Sequence, residues 1–357
     1  MRMLLQKVRI QGFRNFSEKL FEFSDGTTIV VGPNGSGKTN LLEAIYLLSV
    51  GKSFKARVED EMISYKKGLA HTKGRVLYND ISTDLEVVLT RGEISGERAP
   101  KKRLLVNNTP KRLVDFASNL RVVLFSPEDL DLVLESPSIR RRFLDSVLSQ
   151  SDYEYRRSLL AYEKGLRRRN RILISIREEG APRTHLTFWD KLLIKNGNYL
   201  TSSRQKLIDF INDSPSLNET EFNLEYDLSG ISEERLAQYA REEVAAGMTL
   251  VGPHRDDFIF KVKPGKASRR GRELVAYGSR GEQRMGVLWV KLAELSYIKS
   301  ETKEDPLLLL DDIFSELDKS HRKIVKLATK KFQTIITTAD PHFIKNFKGV
   351  EKIELKG

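Results

Sequence analysis

Apolar and polar positions change period several times along this chain. The segment Leu4-Gln-Lys-Val-Arg-Ile-Gln-Gly-Phe alternates like a half-buried strand, and Phe21 and Phe23 mark its expected hairpin partner. Residues 27–31, Thr-Thr-Ile-Val-Val, form a β-branched run of buried-strand type. After it, Leu41, Leu42, Ala44, Ile45, Leu47 and Leu48 give the apolar face of a helix. Strand-like stretches at 71–78, 84–90 and 103–106 are separated by turns at Tyr78-Asn79-Asp80 and 91–100, which predicts an antiparallel β layer. Residues 121–125 form a short apolar strand ending at Ser126-Pro127-Glu128.

From Tyr155 the period lengthens. Apolar residues recur at Leu159, Tyr162, Leu166, Leu173 and Ile176, and a second run holds Trp189, Leu192, Tyr199, Leu207 and Phe210. Gly180-Ala181-Pro182 breaks the two, which predicts an antiparallel helical hairpin. Helices of about 25 residues would extend roughly 35–40 Å. They would stand out as a stubby arm or fold onto the core as a bundle; the heavily charged outward faces favour the arm. After residue 250 an α/β pattern resumes. Residues 307–310 are a fully apolar strand and 334–338 another, with Ile324, Val325, Leu327 and Ala328 on a helix face between them. Strand, helix, strand is a βαβ unit, so the sheet is at least partly parallel. The expected organisation is residues 1–150 as the first part of an α/β head, 151–245 as a helical second domain, and 246–357 as the rest of the head.

Composition narrows the class. The 357 residues, 39% hydrophobic, suffice for one large core and a second lobe. No run approaches the roughly 18 apolar residues of a membrane span, and the first residues lack the apolar stretch of a signal peptide. With no cysteine, a disulfide scaffold or thiolate metal site is excluded. A cytoplasmic protein without a membrane partner is expected. Sixty-one Lys and Arg against 49 Asp and Glu give +12, which suits a polyanion, although a solvated lysine-rich surface gives the same sum. The cations cluster at Arg140, Arg141 and Arg142, at Arg167, Arg168, Arg169 and Arg171, and from Lys266 through Arg272. Arg140, Arg141 and Arg142 begin a helix after Pro137 and are expected to face DNA.

Three motifs carry chemistry. Gly32-Pro33-Asn34-Gly35-Ser36-Gly37-Lys38-Thr39 fits the phosphate-binding loop between strand and helix. Its glycines let several backbone N–H groups curl round one phosphate, Lys38 would reach the β- and γ-phosphates, and Thr39 would hold Mg²⁺. At the end of the 307–310 strand, Asp311 is placed to hold the metal and Asp312 to face the attacking water. Tyr277-Gly-Ser-Arg-Gly-Glu-Gln-Arg284 precedes a helix and makes an anion-binding helix start. Since the loop at 32–39 already wraps the phosphates, Ser279 and the Gly281 N–H would cap the γ-phosphate held by a second copy. ATP would then hold two heads together, and hydrolysis would release them.

These motifs, with Asp311-Asp312 followed by Ser315-Glu316-Leu317-Asp318, resemble the head of ABC-type ATPases. Within that class the chain resembles the RecF family of bacterial recombination and repair proteins. The likeness rests on Gly12-Phe13-Arg14-Asn15-Phe16, Ser126-Pro127-Glu128-Asp129-Leu130, Pro137 to Asp145, and Val251-Gly-Pro-His-Arg-Asp-Asp257. It runs from about residue 3 to 355. It implies an ABC-type head, a P-loop NTPase fold of parallel sheet plus antiparallel β layer, with a short helical second domain. It also implies a weak DNA-linked ATPase that dimerises on ATP and binds single- and double-stranded DNA, gap junctions included. With RecO and RecR such a protein loads recombinase at gaps and supports the SOS response. Arg14 and Asn15 would lie near the nucleotide, Glu128 near the metal and the γ-phosphate, and Asp318 in the dimer-facing loop.

Two departures stand out. ABC transporters generally place Glu where Asp312 stands, so slow hydrolysis is expected. The 334–338 strand ends in Thr-Thr-Ala-Asp without the switch histidine of many ABC heads, leaving Thr338 or Asp340 to sense the γ-phosphate. His254 with Asp256 and Asp257 imitates a metal cluster, but no second histidine lies nearby, and a structural or nucleotide-linked role near the re-entry to the head is expected. Trp189 and Trp289 read as core. The ATP-binding subunit of a membrane transporter is the alternative. The inserted helices and basic clusters count against it.

Overall fold

The apolar runs that flank the phosphate loop and the acidic pair share one parallel sheet. In the computed structural model, which describes residues 2–94, 96–217, 220–263, 271–317, 319–340, 347 and 349–356, its strand order is Val122–Phe125, Leu307–Asp311, Thr334–Thr338, Thr27–Val31 and Glu351–Glu354. All four pairings are parallel. Every residue of Leu307–Asp311 and Thr334–Thr338 is buried, as expected of strands covered on both faces. The helix Lys38–Val50 buries Leu41, Leu42, Ala44, Ile45, Leu47 and Leu48, the face its spacing predicts.

An antiparallel sheet of six strands lies in the same unit, ordered Phe16–Glu22, Met3–Phe13, Leu69–Tyr78, Ile81–Thr90, Lys102–Val106 and Thr109–Lys111. Asn79 and Asp80, both at positive φ (46° and 62°), close its central hairpin, the geometry that a two-residue turn needs to match strand twist. Alternation along Met3–Phe13 slips between Leu5 and Lys7, where the register shifts, so Leu5 and Val8 are both fully buried despite their odd spacing. Gln333 joins the layers. Its side-chain amide donates to the Leu5 carbonyl at 2.8 Å and to Ser24 O at 2.9 Å, while its oxygen accepts the Leu5 N–H at 2.8 Å.

By contact the chain forms two units, residues 1–129 with 294–357 and residues 130–293. The sequence reading put the divisions at 150 and 245 instead. Helix Pro137–Ser151 belongs with the second unit because its Phe143 packs edge-on against Phe258 at 6.4 Å and its Asp145 accepts from Arg204 at 2.7 Å.

In that second unit, helices Tyr153–Glu179 and Thr187–Asn212 make the predicted hairpin. Tyr155, Tyr162, Leu193, Leu200 and Leu207 are buried along it. A Cβ on Gly165 would meet Leu192 Cδ2 at 2.6 Å, so glycine sets how closely the two helices approach. The hairpin is no bare arm. It packs on a three-stranded sheet that sequence periodicity missed, ordered Glu221–Asp227, Asp257–Lys263 and Arg272–Glu273. Trp289 is buried beside Phe222 at 5.7 Å, whereas Trp189 is half-buried beside the exposed Phe188.

Candidate nucleotide-binding site

Thr27–Val31 ends at the carboxyl edge of the parallel sheet, and the chain passes at once into Gly32 to Gly37 before Lys38–Val50 begins. The loop is shaped to need glycine. Gly37 sits at φ 102°, and a Cβ there would lie 2.7 Å from both Asn15 Oδ1 and Phe16 Cζ. A Cβ on Gly32 would lie 2.6 Å from Ser36 Oγ. Lys38, buried, folds its ammonium back on the loop, donating to Gly32 O at 2.9 Å and Pro33 O at 3.0 Å. Ser36 Oγ is buried without a hydrogen-bond partner. A cradle without room for a Cβ, an inward lysine and an orphaned hydroxyl fit a bound phosphate chain. Asn34 and Gly35 form the exposed rim with Pro33, and Thr39 opens the helix half-buried.

The acidic pair stands on the same sheet edge. Register pairs Asp311 with Thr337, and Thr337 with Val30, so Asp311 lies two strands, about 10 Å, from Val30, one residue short of the strand's end at the loop. Asp311 is buried; its Oδ1 accepts the Thr337 hydroxyl at 2.6 Å. Asp312 takes a left-handed backbone at φ 49°, and its N–H donates to Thr337 O at 3.1 Å and to Thr337 Oγ1 at 3.2 Å. A non-glycine residue held in that region stores strain that the surroundings must offset, a pattern that clusters at functional sites. Thr337 was missed by sequence reasoning, although a hydroxyl in an otherwise apolar strand was the available signal. Among the described residues no three His, Cys, Asp or Glu side chains form a metal cage. One buried carboxylate and a helix-start threonine nonetheless suit Mg²⁺, which keeps waters and phosphate oxygens as its other ligands. Glu128, exposed in a short 3₁₀ turn after Val122–Phe125, belongs to the same edge. Thr338 Oγ1 accepts the Asp340 N–H at 3.1 Å, which links the two switch candidates.

Arg14 and Asn15 lie in the turn after Met3–Phe13 and behave differently. Asn15 reaches the loop. Its amide donates to Gly35 O at 3.4 Å, and its oxygen accepts from Asn40 at 2.8 Å. Arg14 points elsewhere: Nε and Nη2 clasp Glu43 at 2.8 and 2.7 Å, and Nη1 donates to Glu61 O at 2.7 Å. Hydrogen bonding to Glu43 raises the Arg14 pKa, against the opposing effect of burial. Glu43 is fully buried in the loop helix and was missed, though a lone charge amid Leu41, Leu42, Ala44 and Ile45 is the mark of such an anchor.

Ser279 and Gly281 belong to the second unit, at the start of helix Arg280–Thr302. Ser279 Oγ accepts the Glu282 N–H at 3.2 Å, and Glu282 Oε2 accepts the Ser279 N–H at 2.8 Å, a reciprocal capping box. That backbone hydrogen bond, with Arg272 alongside, lowers the Glu282 pKa. The arginine triplet is divided. Arg140 is clasped by Asp257 at 2.6 and 2.9 Å, so its charge is neutralised and its assignment to DNA is withdrawn. Arg141 is half-buried and donates to Asp256 O at 2.8 Å, while Arg142 is exposed. Arg169 is buried against Asp190 and Glu243. Of the 266–272 cluster, residues 266–270 lie outside the described residues, as does Asp318, and Arg272 pairs with Glu282 at 2.9 Å. No described helix is long and apolar enough to cross a membrane.

Comparison with known proteins agrees with this arrangement. The family model described as RecF/RecN/SMC N terminal domain matches residues 4–356. A DNA replication and repair protein RecF of Alkaliphilus oremlandii is 34% identical, with 97% of this chain and 96% of the relative covered. That of Natranaerobius thermophilus is 34% identical, with 99% and 95% covered. A solved structure described as the recombination mediator protein RecF-ATP in the RecFOR pathway shares 30% identity at a TM-score of 0.86, covering 99% of this chain and 95% of that one. An Smc head domain from Pyrococcus furiosus, 16% identical at a TM-score of 0.52 over 99% of this chain and 94% of its own, shares the fold alone. With a phosphate loop and an acidic strand end on one edge of a parallel sheet, flanked by an antiparallel β layer, the chain has the ABC-type ATPase head fold and belongs to the RecF family.

Proposed function

We propose that this chain is an ATP-driven DNA-binding switch of recombinational repair, loading recombinase at gapped DNA with RecO and RecR and supporting the SOS response. The single observation that carries the reading is the shared sheet edge. Lys38 and its glycine loop stand there with Asp311, Asp312 and Thr337. The relatives' names favour repair over a transporter subunit.

Lys38 would leave the carbonyls of Gly32 and Pro33 for the phosphates of ATP, an exchange of hydrogen-bond partners that needs no new charge in the site. Thr39, Asp311 and Glu128 would hold Mg²⁺, which when bound neutralises charge developing on the phosphates. Asp312 would orient the attacking water, its reach set by the strained turn and by Thr337. Asn15, tied to Gly35 and Asn40, would hold the loop's shape; Arg14, clasped by Glu43, is a positioning residue one step behind it. Ser279 and the Gly281 N–H would act on the nucleotide of a second copy, after Glu282 yields the Ser279 N–H. Two closed copies would then grip DNA through their basic surface, and hydrolysis would release it.

Molecular mass by light scattering, with DNA binding measured in ATP, ADP and no nucleotide, tests this reading. A dimer is expected in MgATP alone, with DNA bound more tightly there than in ADP or without nucleotide. Lys38→Ala should abolish the dimer and the gain in DNA binding, and Ser279→Ala should spare nucleotide binding by the monomer yet impair the dimer. A wild-type chain that stays monomeric at saturating MgATP and DNA would refute the switch.

A further inference from the structure

Residues 251–257, Val-Gly-Pro-His-Arg-Asp-Asp, supply none of the residues assigned to the nucleotide, and nearly every one has an internal task. Gly252 sits at φ 124°, and a Cβ there would lie 2.3 Å from Tyr162 Oη. Pro253 O accepts from Arg204 at 2.6 Å. His254 bridges Tyr162 Oη at 2.8 Å and Thr249 O at 3.1 Å. Asp256 is fully buried and takes bonds from Arg204, Tyr226 and the Ser229 N–H, and Asp257 clasps Arg140. Arg255 is the exception. It is exposed, and the only hydrogen-bond partner of its side chain among the described residues is the thioether of Met248 at 3.7 Å.

Arg255 lines a cavity of about 470 Å³ within the second unit, across from the first turn of Pro137–Ser151. Arg141 lines it too, half-buried and held by a backbone carbonyl rather than a carboxylate. Asn170 adds an amide whose oxygen already accepts Thr249 N at 2.9 Å and Thr249 Oγ1 at 2.7 Å, leaving its N–H₂ as a donor. Ser136 and Ser138, hydroxyls 2.8 Å apart, use one proton between them and have one to spare. Among the described residues, no carboxylate lines the cavity.

The arginines of this unit thus fall into two groups. Arg140, Arg169 and Arg204 are each neutralised by acids. Among the described residues, Arg141, Arg142, Arg167, Arg171 and Arg255 have no carboxylate within 4.0 Å. Arg167 stands one helical turn before Asn170, on the same face, and Arg171 follows it directly. Two unneutralised guanidiniums over a concave wall of donors form a seat for a tetrahedral oxyanion.

We propose that this cavity binds a phosphate group, with Arg255 and Arg141 as its cations, and that the phosphate is one of a DNA backbone. The backbone is favoured over a free phosphate because Arg142, Arg167 and Arg171 extend unneutralised charge beyond what one phosphate needs. The site shares no residue with the nucleotide loop; its DNA occupant rests on the DNA-binding part of the proposed function, its phosphate chemistry does not.

The test uses the full chain without nucleotide, so failure of ATP-driven dimerisation leaves it readable. Duplex binding is followed by fluorescence anisotropy over a salt series, and inorganic phosphate binding by calorimetry at constant ionic strength. Arg255→Gln, at an exposed position, should weaken duplex binding about tenfold and lower the slope of log affinity against log salt by about 1. Arg141→Gln should act in the same direction. If duplex binding is unchanged but the wild type binds inorganic phosphate and Arg255→Gln loses that about tenfold, the phosphate site stands with a free phosphate as its occupant. If neither measurement responds to Arg255→Gln, the proposal is overturned.

Discussion

At Thr337 one side chain serves both acids of the strand end, donating its hydroxyl to Asp311 and accepting the Asp312 N–H. Thr337→Val keeps the shape and removes both bonds, leaving a buried carboxylate short of a donor. A charged hydrogen bond of this kind contributes about 1.5–3 kcal/mol. ATP turnover should fall at least about tenfold with a smaller change in nucleotide affinity; an unchanged kcat would remove Thr337 from the machinery. His254 gives a pH signature. Burial first, then neighbouring Arg255 and Arg141, push its pKa down from 6.5 to about 4, against the Thr249 carbonyl and Asp256. A base depressed in the folded state contributes stability that is fully present above its unfolded value of 6.5 and is lost as pH falls through about 4. The whole effect is on the order of 3 kcal/mol. Thermal melts between pH 7 and 4 should therefore fall more steeply for the wild type than for His254→Gln, and parallel curves would contradict the assignment.

At the scale of elements, the phosphate loop is rigid because its neighbours leave no room. Gly37→Ala would require φ 102° and bring a methyl against Asn15 and Phe16, costing about 1–3 kcal/mol. Nucleotide affinity should drop at least about tenfold, measured by calorimetry beside a melting curve that reports the fold. Helix Arg280–Thr302 carries its own brace: Glu282→Ala removes half of the capping box and should cost about 1 kcal/mol, visible as a lower melting temperature. Much of this scaffold was readable beforehand. The run at 27–31, the Leu41–Leu48 face and the 307–310 strand announce themselves because buried parallel strands and helix faces are continuous or regularly apolar. Two pieces were not readable. Glu351–Glu354 is polar and mostly exposed, so only its pairing with Thr27–Val31 makes it a strand. The fates of Arg140 and Arg14 depended on Asp257 and Glu43, partners that no local pattern announces.

For the whole molecule, the surplus of twelve positive charges is distributed unequally in what it does. Some arginines close internal networks, as Arg204 does with Asp145 and Asp256, and contribute nothing to an outside polyanion. DNA affinity should thus fall with salt less steeply than net charge suggests, and Arg140→Gln should reduce thermal stability while changing the salt slope little. A slope that drops as far for Arg140→Gln as for Arg255→Gln would show that Asp257 does not neutralise its partner. One feature of the head also bears on how the chain is made. The strand that delivers the phosphate loop, Thr27–Val31, finds its two sheet neighbours only in residues 334–338 and 351–354. On the ribosome that segment must wait for its sheet neighbours until residues 334–354 have been made. The capacity to recognise a nucleotide thus comes to a nascent copy only once those distant strands exist, and a copy interrupted before them would carry the motif without its grip.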